Sequence, residues 1–218
     1  MSRCPDGPVH ISGGFLLLSA WFALESGLEP LVLILLAVIL HELGHFAVLR
    51  LCGAPVQGLS FGALGAVMKS ERSGLSYGTE LLALLAGPLT NLLCAAVLTV
   101  PARTFPGLYA AAGTHLTLGV FNLLPIRPLD GGQALELLVT WRFGPAAGEQ
   151  TAQLVSFVCA ALLCGGLVWL MHESRGNFWL APPAAGLLAV CLRELRGVTR
   201  GAHSRRRPPF RGKSRGLL

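Results

Sequence analysis

Ten apolar residues in a row, Leu31 to Leu40, lead without interruption into His41-Glu42-Leu43-Gly44-His45. Extended over 31–51, this run has the roughly 18–25 residues that a helix needs to cross a hydrocarbon layer of about 30 Å. Five further segments have the same character, at 11–24, 79–100, 108–124, 151–171 and 178–192. Lipid cannot hydrogen-bond an open backbone, so such segments must satisfy their own amides, and apolar runs of this length do so as helices. The expected fold class is an all-α polytopic membrane protein with about six transmembrane helices. The composition fits: 53% of the 218 residues are hydrophobic and 13% are charged, about half the charged share of a soluble domain. The first segment is short for a span. The last contains Pro182 and Pro183, which a membrane helix tolerates when neighbours satisfy the freed carbonyls.

Residues 54–76 break the pattern. They are glycine-rich and alternate over Val56-Gln57-Gly58-Leu59-Ser60-Phe61, which reads as a strand, a small β-hairpin or a re-entrant element between the second and third spans. Non-helical backbone at membrane depth must pack on protein or line a watery cavity, so a cavity is expected beside it. Residues 1–197 form a single membrane-embedded domain in this reading, and 198–218, with Arg205-Arg206-Arg207 ahead of Pro208-Pro209, a basic disordered tail. Its partner is anionic lipid; no nucleic acid is expected. The N-terminus carries a single base, Arg3, ahead of the first apolar run, and no small-residue cleavage motif, so that run is read as retained. The six cysteines form no C-x-x-C pair and lie mostly inside apolar runs, as small buried side chains.

With the N-terminus in the cytoplasm, fifteen of the seventeen Lys and Arg residues fall on the inner side, and only Arg103 and Arg175 fall outside. The excess of bases on cytoplasmic segments places both termini in the cytoplasm. The protein is read as a multi-pass protein of the bacterial cytoplasmic membrane.

Three ionisable groups in an apolar span are costly, about 2.5–3.5 kcal/mol for an acidic side chain at a helix centre, and residues kept there at that cost generally have a job. The job is indicated by the H-E-x-x-H spacing. Positions i and i+4 share a helix face, so His41 and His45 can reach one zinc ion, while Glu42 stands beside them as general base. A catalytic zinc normally takes three protein ligands and keeps one position open. No further His or acid follows on the same helix, so the third ligand must come from elsewhere. Asp130, in Asn122-Leu-Leu-Pro-Ile-Arg-Pro-Leu-Asp-Gly-Gly132, lies on the same side of the membrane as His45. Pro125 and Pro128 end the helix there, and Gly131 and Gly132 would permit a sharp turn that aims the carboxylate inward. Pro-Leu-Asp-Gly-Gly is by itself also an ordinary turn sequence.

The three motifs together, HELGH, Gly87-Pro88-Leu89-Thr90-Asn91 and NLLPIRPLDGG, resemble the site-2 protease family, the intramembrane zinc metalloproteases of peptidase family M50. The likeness runs from about Val9 to Gly197 and is nearest to the stage IV sporulation factor B type, which processes a membrane-associated precursor of a sporulation sigma factor. It implies one Zn2+ per chain on His41, His45 and Asp130, with Glu42 activating water. It marks Asn91 and Asn122 as support for substrate or transition state, Asn91 being equally readable as an interhelical hydrogen-bonding residue. It also likens residues 54–68 to the family's membrane-embedded hairpin, where a substrate strand could pair. A membrane-associated protein is the implied substrate, with room for a regulatory membrane partner. Gln133 departs from the family pattern, where a basic residue is common.

The reaction implied is peptide hydrolysis within or beside the bilayer, with water reaching His41 through a polar channel near Arg50, Lys69 and Arg127. His10, His115 and His172 are read as structural, His115 being poorly placed for a metal. The rivals are a zinc transporter, a non-proteolytic scaffold, and a prenyl-protein-type protease taking Glu136 as third ligand. Glu42, which ligates nothing, speaks against a transporter, and the intact His41, Glu42, His45 and Asp130 speak against an inactive scaffold.

Overall fold

The computed structural model describes residues 9–11, 19–20, 22–24, 26–53, 56–62, 65–70, 76–174 and 181–205, with side chains described at 19–20, 22–24, 26–53, 76–174 and 181–196. The chain is mostly helical. The helices are α1 (Leu28–Leu51), α2 (Tyr77–Ala102), α3 (Leu108–Asn122), α4 (Asp130–Phe143), α5 (Pro145–Glu173) and α6 (Ala181–Arg205). Three of them, α1, α2 and α5, are long and apolar enough to cross a membrane. At about 1.5 Å per residue their 24, 26 and 29 residues exceed a hydrocarbon layer of about 30 Å. The expected span at 108–124 is a helix of 15 residues, followed by segment 123–129. Most of the expected first span lies outside the described residues. Helix α6 runs on to Arg205, into the stretch read as a disordered tail; residues 206–218 lie outside the described set.

The chain divides into two compact units, 1–152 and 153–218. In the first, α2 is the central helix and packs against α1, α3 and α4. It starts where the Ser76 side chain accepts a hydrogen bond from the Thr79 amide at 3.2 Å, capping the exposed end. Its inner face, Ala83, Leu84, Ala86, Gly87, Pro88, Asn91 and Ala95, is buried, while Leu82, Leu89, Leu93 and Val97 lie half or more exposed. Helix α1 is the same: Val32, Leu36, Ile39 and Leu43 are about half exposed, and apolar surface of that kind is at ease only in lipid. Small residues bring the two helices close. A β-carbon on Gly44 would stand 2.8 Å from the Ala86 carbonyl oxygen and 3.0 Å from Thr90 Cβ, so glycine lets the α1 backbone lie directly against the Ala86 carbonyl and the Thr90 side chain of α2.

Strands β1 (Val9–Ile11), β2 (Val56–Gly62) and β3 (Gly65–Ser70) form one sheet in the order β1-β2-β3. β1 runs parallel to β2 with Val9 opposite Leu59, and the connection between them contains α1, as a parallel pair requires a long crossover. β2 and β3 pair antiparallel from Gly62 opposite Gly65 to Val56 opposite Ser70, with an irregularity between Val56 and Gly58. Both touch α1.

Helix α4 begins immediately after the segment 123–129, whose own hydrogen bonds are tight: Ile126 N donates to Leu124 O at 2.7 Å and Leu129 N to Ile126 O at 2.8 Å. Gly144, at φ +91°, a conformation that favours glycine, then turns the chain into α5, which opens on Pro145, a residue suited to a first helical position. In the second unit, Gln153 Nε2 donates to the Glu194 carbonyl at 2.8 Å, tying α5 to α6.

Candidate metal centre

His41 and His45 occupy successive turns of one face of α1, and their rings meet edge to face with centroids 4.8 Å apart. Their Nε2 atoms are 3.1 Å from each other. From the other side comes Asp130, the first residue of α4, with Oδ2 3.0 Å from His41 Nε2 and 3.4 Å from His45 Nε2. All three side chains are largely buried, at 7%, 12% and 14% exposure. Glu42 is buried beside them, within electrostatic reach of both imidazoles and of Asp130. Among the described residues this is a group of His and carboxylate side chains able to hold a metal ion.

The donor set fits zinc. Two imidazole nitrogens and a carboxylate oxygen are ordinary zinc ligands, and with bonds of about 2.0–2.1 Å a tetrahedron has edges of about 3.3 Å. The three observed separations, 3.0, 3.1 and 3.4 Å, lie around that edge length. A second observation agrees. A β-carbon on Gly87 of α2 would stand 2.7 Å from His41 Nε2 and 2.8 Å from His45 Cδ2, so the bare backbone of α2 forms one wall of the space in front of the imidazoles. His45 is already oriented: its Nδ1–H donates to the Ala83 carbonyl at 2.7 Å, which leaves Nε2 with a free lone pair.

Asp130 is placed by close backbone packing. Gly131 and Gly132 are helical, and the positive-φ glycines among the described residues are Gly27, Gly53 and Gly144. The expected sharp turn at Gly131-Gly132 is therefore replaced by a different role. A β-carbon on Gly132 would meet Arg127 N at 2.6 Å, and one on Gly131 would meet Leu124 O at 2.7 Å. Only glycine lets the first turn of α4 lie directly on the segment 123–127, with Ile126 buried at 1% exposure as its anchor. Arg127 spans the same junction in an ion pair with Glu136 at 3.3 Å.

The two asparagines are both hydrogen-bonded within the helices. Asn91, at 0% exposure, sits behind His41, its Nδ2 3.2 Å from His41 Nδ1 and its Oδ1 3.1 Å from His115 Nδ1. That is the interhelical hydrogen bonding read as its alternative. Asn122 Nδ2 donates to the Leu118 carbonyl one turn back in α3 at 3.1 Å. His115 is not in the metal group, but it is one residue removed from a ligand and buried at 6% exposure. Its position in the apolar run 108–124 was the available signal, because the cost argument that singled out HELGH applies to any ionisable side chain there. Glu136 is paired with Arg127 and does not join the histidines.

A cavity of about 300 Å³ opens between α2 and α4, lined by Glu80, Leu84, Gln133, Glu136, Leu137 and Thr140. Glu80, Gln133, Glu136 and Thr140 make its wall partly polar. Arg127, one of the three bases expected near the channel, pairs with Glu136 of its wall, and the other walls include turns next to the site: Leu84 follows Ala83, and Gln133 stands one turn beyond Asp130.

Comparison with known proteins follows the same lines. The sequence profile of peptidase family M50 matches residues 30–107 and 99–166, more than half of the chain and all four residues of the metal group and its flanking acid. The chain belongs to peptidase family M50. Among M50-like relatives, a zinc metalloprotease of Methanocaldococcus jannaschii is 31% identical over 120 residues, 52% of this chain and 35% of that protein. Stage IV sporulation protein FB of Bacillus subtilis is 29% identical over 182 residues, 79% of this chain and 61% of that protein. The chain thus spans about a third to three fifths of the curated relatives it matches. The structure of the site-2 protease from Methanocaldococcus jannaschii superposes with a TM-score of 0.65 at 22% identity, over 89% of this chain and 93% of that one, so the M50 chain and that protease share a fold.

Proposed function

We propose that the chain is an intramembrane zinc metalloprotease that hydrolyses a peptide bond within or next to a membrane-spanning or membrane-associated protein. The observation that carries this is the convergence of His41, His45 and Asp130 at tetrahedral spacing with the buried carboxyl of Glu42 on the same helix face region. His41 and His45 through Nε2, and Asp130 through its carboxylate, hold the zinc. When bound, zinc supplies a Lewis acid that polarises the scissile carbonyl and lowers the pKa of water towards neutrality. Glu42 takes a proton from the attacking water and returns it to the leaving amine.

The three-stranded sheet presents outer edges at β1 and β3 among the described residues, and an unwound substrate segment pairs along such an edge by strand addition. We place this sheet at membrane depth, beside a six-span arrangement in the bacterial cytoplasmic membrane with both termini in the cytoplasm. The cavity beside Gln133 then opens to the cytoplasm and admits water. The basic C-terminal tail lies on anionic lipid, and by its likeness to the sporulation protein the substrate is a membrane-associated precursor such as that of a sporulation sigma factor.

The test is cleavage of a tagged membrane substrate co-expressed with the wild-type chain, Glu42→Gln or Asp130→Asn, with zinc measured on each purified protein. Wild type cleaves; Glu42→Gln keeps about one zinc and loses activity by about 10²–10⁴-fold, the usual contribution of a positioned acid–base group; Asp130→Asn binds zinc weakly. If zinc binds but neither substitution changes processing of any substrate, the chain is a transporter or scaffold.

A further inference from the structure

Zinc on His41 raises a question of protons. To ligate through Nε2, a neutral imidazole must carry its hydrogen on Nδ1, and that N–H needs an acceptor. For His45 the acceptor is the Ala83 carbonyl. For His41 the facing group is the Asn91 amide, and the structure turns its Nδ2, a donor, toward His41 Nδ1 at 3.2 Å. That orientation belongs to a metal-free network: Asn91 Nδ2–H donates to His41 Nδ1, His41 Nε2–H donates to Asp130 Oδ2 at 3.0 Å, and His115 Nδ1–H donates to Asn91 Oδ1 at 3.1 Å. Both ring nitrogens of His41 and both polar atoms of the Asn91 amide are engaged in this network, and His41 is closed to a metal.

We propose that Asn91 and His115 are positioning residues that set the tautomer of His41, through a half-turn of the Asn91 amide that accompanies zinc binding. The half-turn exchanges Oδ1 and Nδ2 at nearly the same positions. Asn91 Oδ1 then accepts from His41 Nδ1–H, and Asn91 Nδ2 donates to His115 Nδ1. The proton count is unchanged: His41 moves its hydrogen from Nε2 to Nδ1, His115 moves its own from Nδ1 to Nε2, and each ring remains neutral. Burial makes the relay obligatory. Asn91 is 0% and His115 6% exposed, so water cannot replace either partner, and a buried polar group left without one costs about 1–3 kcal/mol. The residue beyond the amide therefore has to be able to switch from donor to acceptor. An imidazole can, by tautomerism, and an amide can, by its own half-turn; an aliphatic side chain cannot. This assignment rests on His41 being a zinc ligand.

The experiment uses the full chain purified in detergent, with zinc affinity measured by competition against a chromogenic chelator and the thermal midpoint measured on the metal-free form. Partners of metal-ligating histidines are worth about 10–100-fold in affinity. Asn91→Leu and His115→Leu are expected to weaken zinc by that factor, whereas Asn91→Asp, which keeps an acceptor for His41 Nδ1–H, binds as tightly as wild type or tighter, and His115→Gln stays within a few-fold of it. A merely structural role would make affinity follow the metal-free midpoint and would give Asn91→Asp no advantage over Asn91→Leu; either result overturns the assignment. Should the Asn91 variants not fold, His115→Leu against His115→Gln decides in the same way. A direct readout is available on wild type: the nitrogen-15 shifts of His115 move from an Nδ1–H to an Nε2–H pattern as zinc is added, and a His115 ring that does not change overturns the relay. His41→Ala separates the two levels. If it binds zinc like wild type, the zinc reading itself fails; if it loses zinc while the Asn91 and His115 variants keep it, only the relay fails.

Discussion

The side chains that matter most here include one that is missing. Gly87 has the two imidazole Nε2 atoms as nearest neighbours of its absent β-carbon, His41 Nε2 lying 2.7 Å from where it would be. Alanine is favoured over glycine in a helix by about 1 kcal/mol, so Gly87→Ala helps α2 as a helix while pushing both imidazoles out of position. The expected outcome is a folded metal-free protein of wild-type helix content, by circular dichroism, whose zinc affinity falls at least about tenfold, in the range of lost support for a ligand. A full equivalent of tightly held zinc on Gly87→Ala would show that α2 does not wall the metal space. At this scale the sequence was informative where spacing carries the chemistry: His41, His45 and Glu42 follow from the period of one helix, whereas Asp130, an ordinary turn residue by its local sequence, became a ligand only through the likeness of its motif. Gly87 and His115 could not be assigned from spacing, because their significance depends on which helices touch.

At the scale of elements, the first turn of α4 is held on segment 123–127 by two kinds of contact that differ in strength. Arg127 and Glu136 pair at 3.3 Å, but the side chains are 30% and 34% exposed, and such pairs contribute about 0–1 kcal/mol after solvent screening. Gly132 lies against backbone, 2.6 Å from Arg127 N, where no side-chain rotation can relieve an added carbon. Gly132→Ala is therefore expected to destabilise by about 1–3 kcal/mol, the usual cost of overpacking, and to displace Asp130 from the histidines. Arg127→Ala should change stability by less than about 1 kcal/mol and leave zinc bound. Chemical denaturation in detergent, read beside zinc content, separates them; an Arg127→Ala protein as damaged as Gly132→Ala would give the junction to the ion pair. Pro125, Pro128 and the paired glycines marked this junction in the sequence, but as a turn. Helical glycines packed on a carbonyl and glycines at a positive φ are written with the same letter, and only the packing partner tells them apart.

For the whole molecule, the order of motifs and the period of the apolar runs made the membrane class and the site readable, while the extent of each crossing was not. Helix α3 has only 15 residues although the apolar composition continues to 124, because Pro125 cannot extend a helix and residues 123–129 are used to aim Asp130. Direction in the membrane rests on charge. In the proposed six-span topology fifteen bases lie on one side against Arg103 and Arg175 on the other, the kind of bias that sets orientation during insertion. On the proposed orientation the Arg50 end of α1, the Glu80 end of α2 and the cavity lined by Glu80, Gln133 and Glu136 face the cytoplasm. Alkaline phosphatase, active only outside the cytoplasm, is expected to be active when fused within residues 103–107, which join α2 to α3, and inactive when fused after residue 205; a fluorescent protein that matures inside should give the reverse. Because Arg3 is the base ahead of the first apolar run, failure of that run to cross would move only the N-terminus and leave both fusions unchanged. An active phosphatase at the C-terminal fusion with an inactive one at 103–107 would turn the metal group's cavity outward, and substrates would then have to be sought among segments that approach the site from outside the cell.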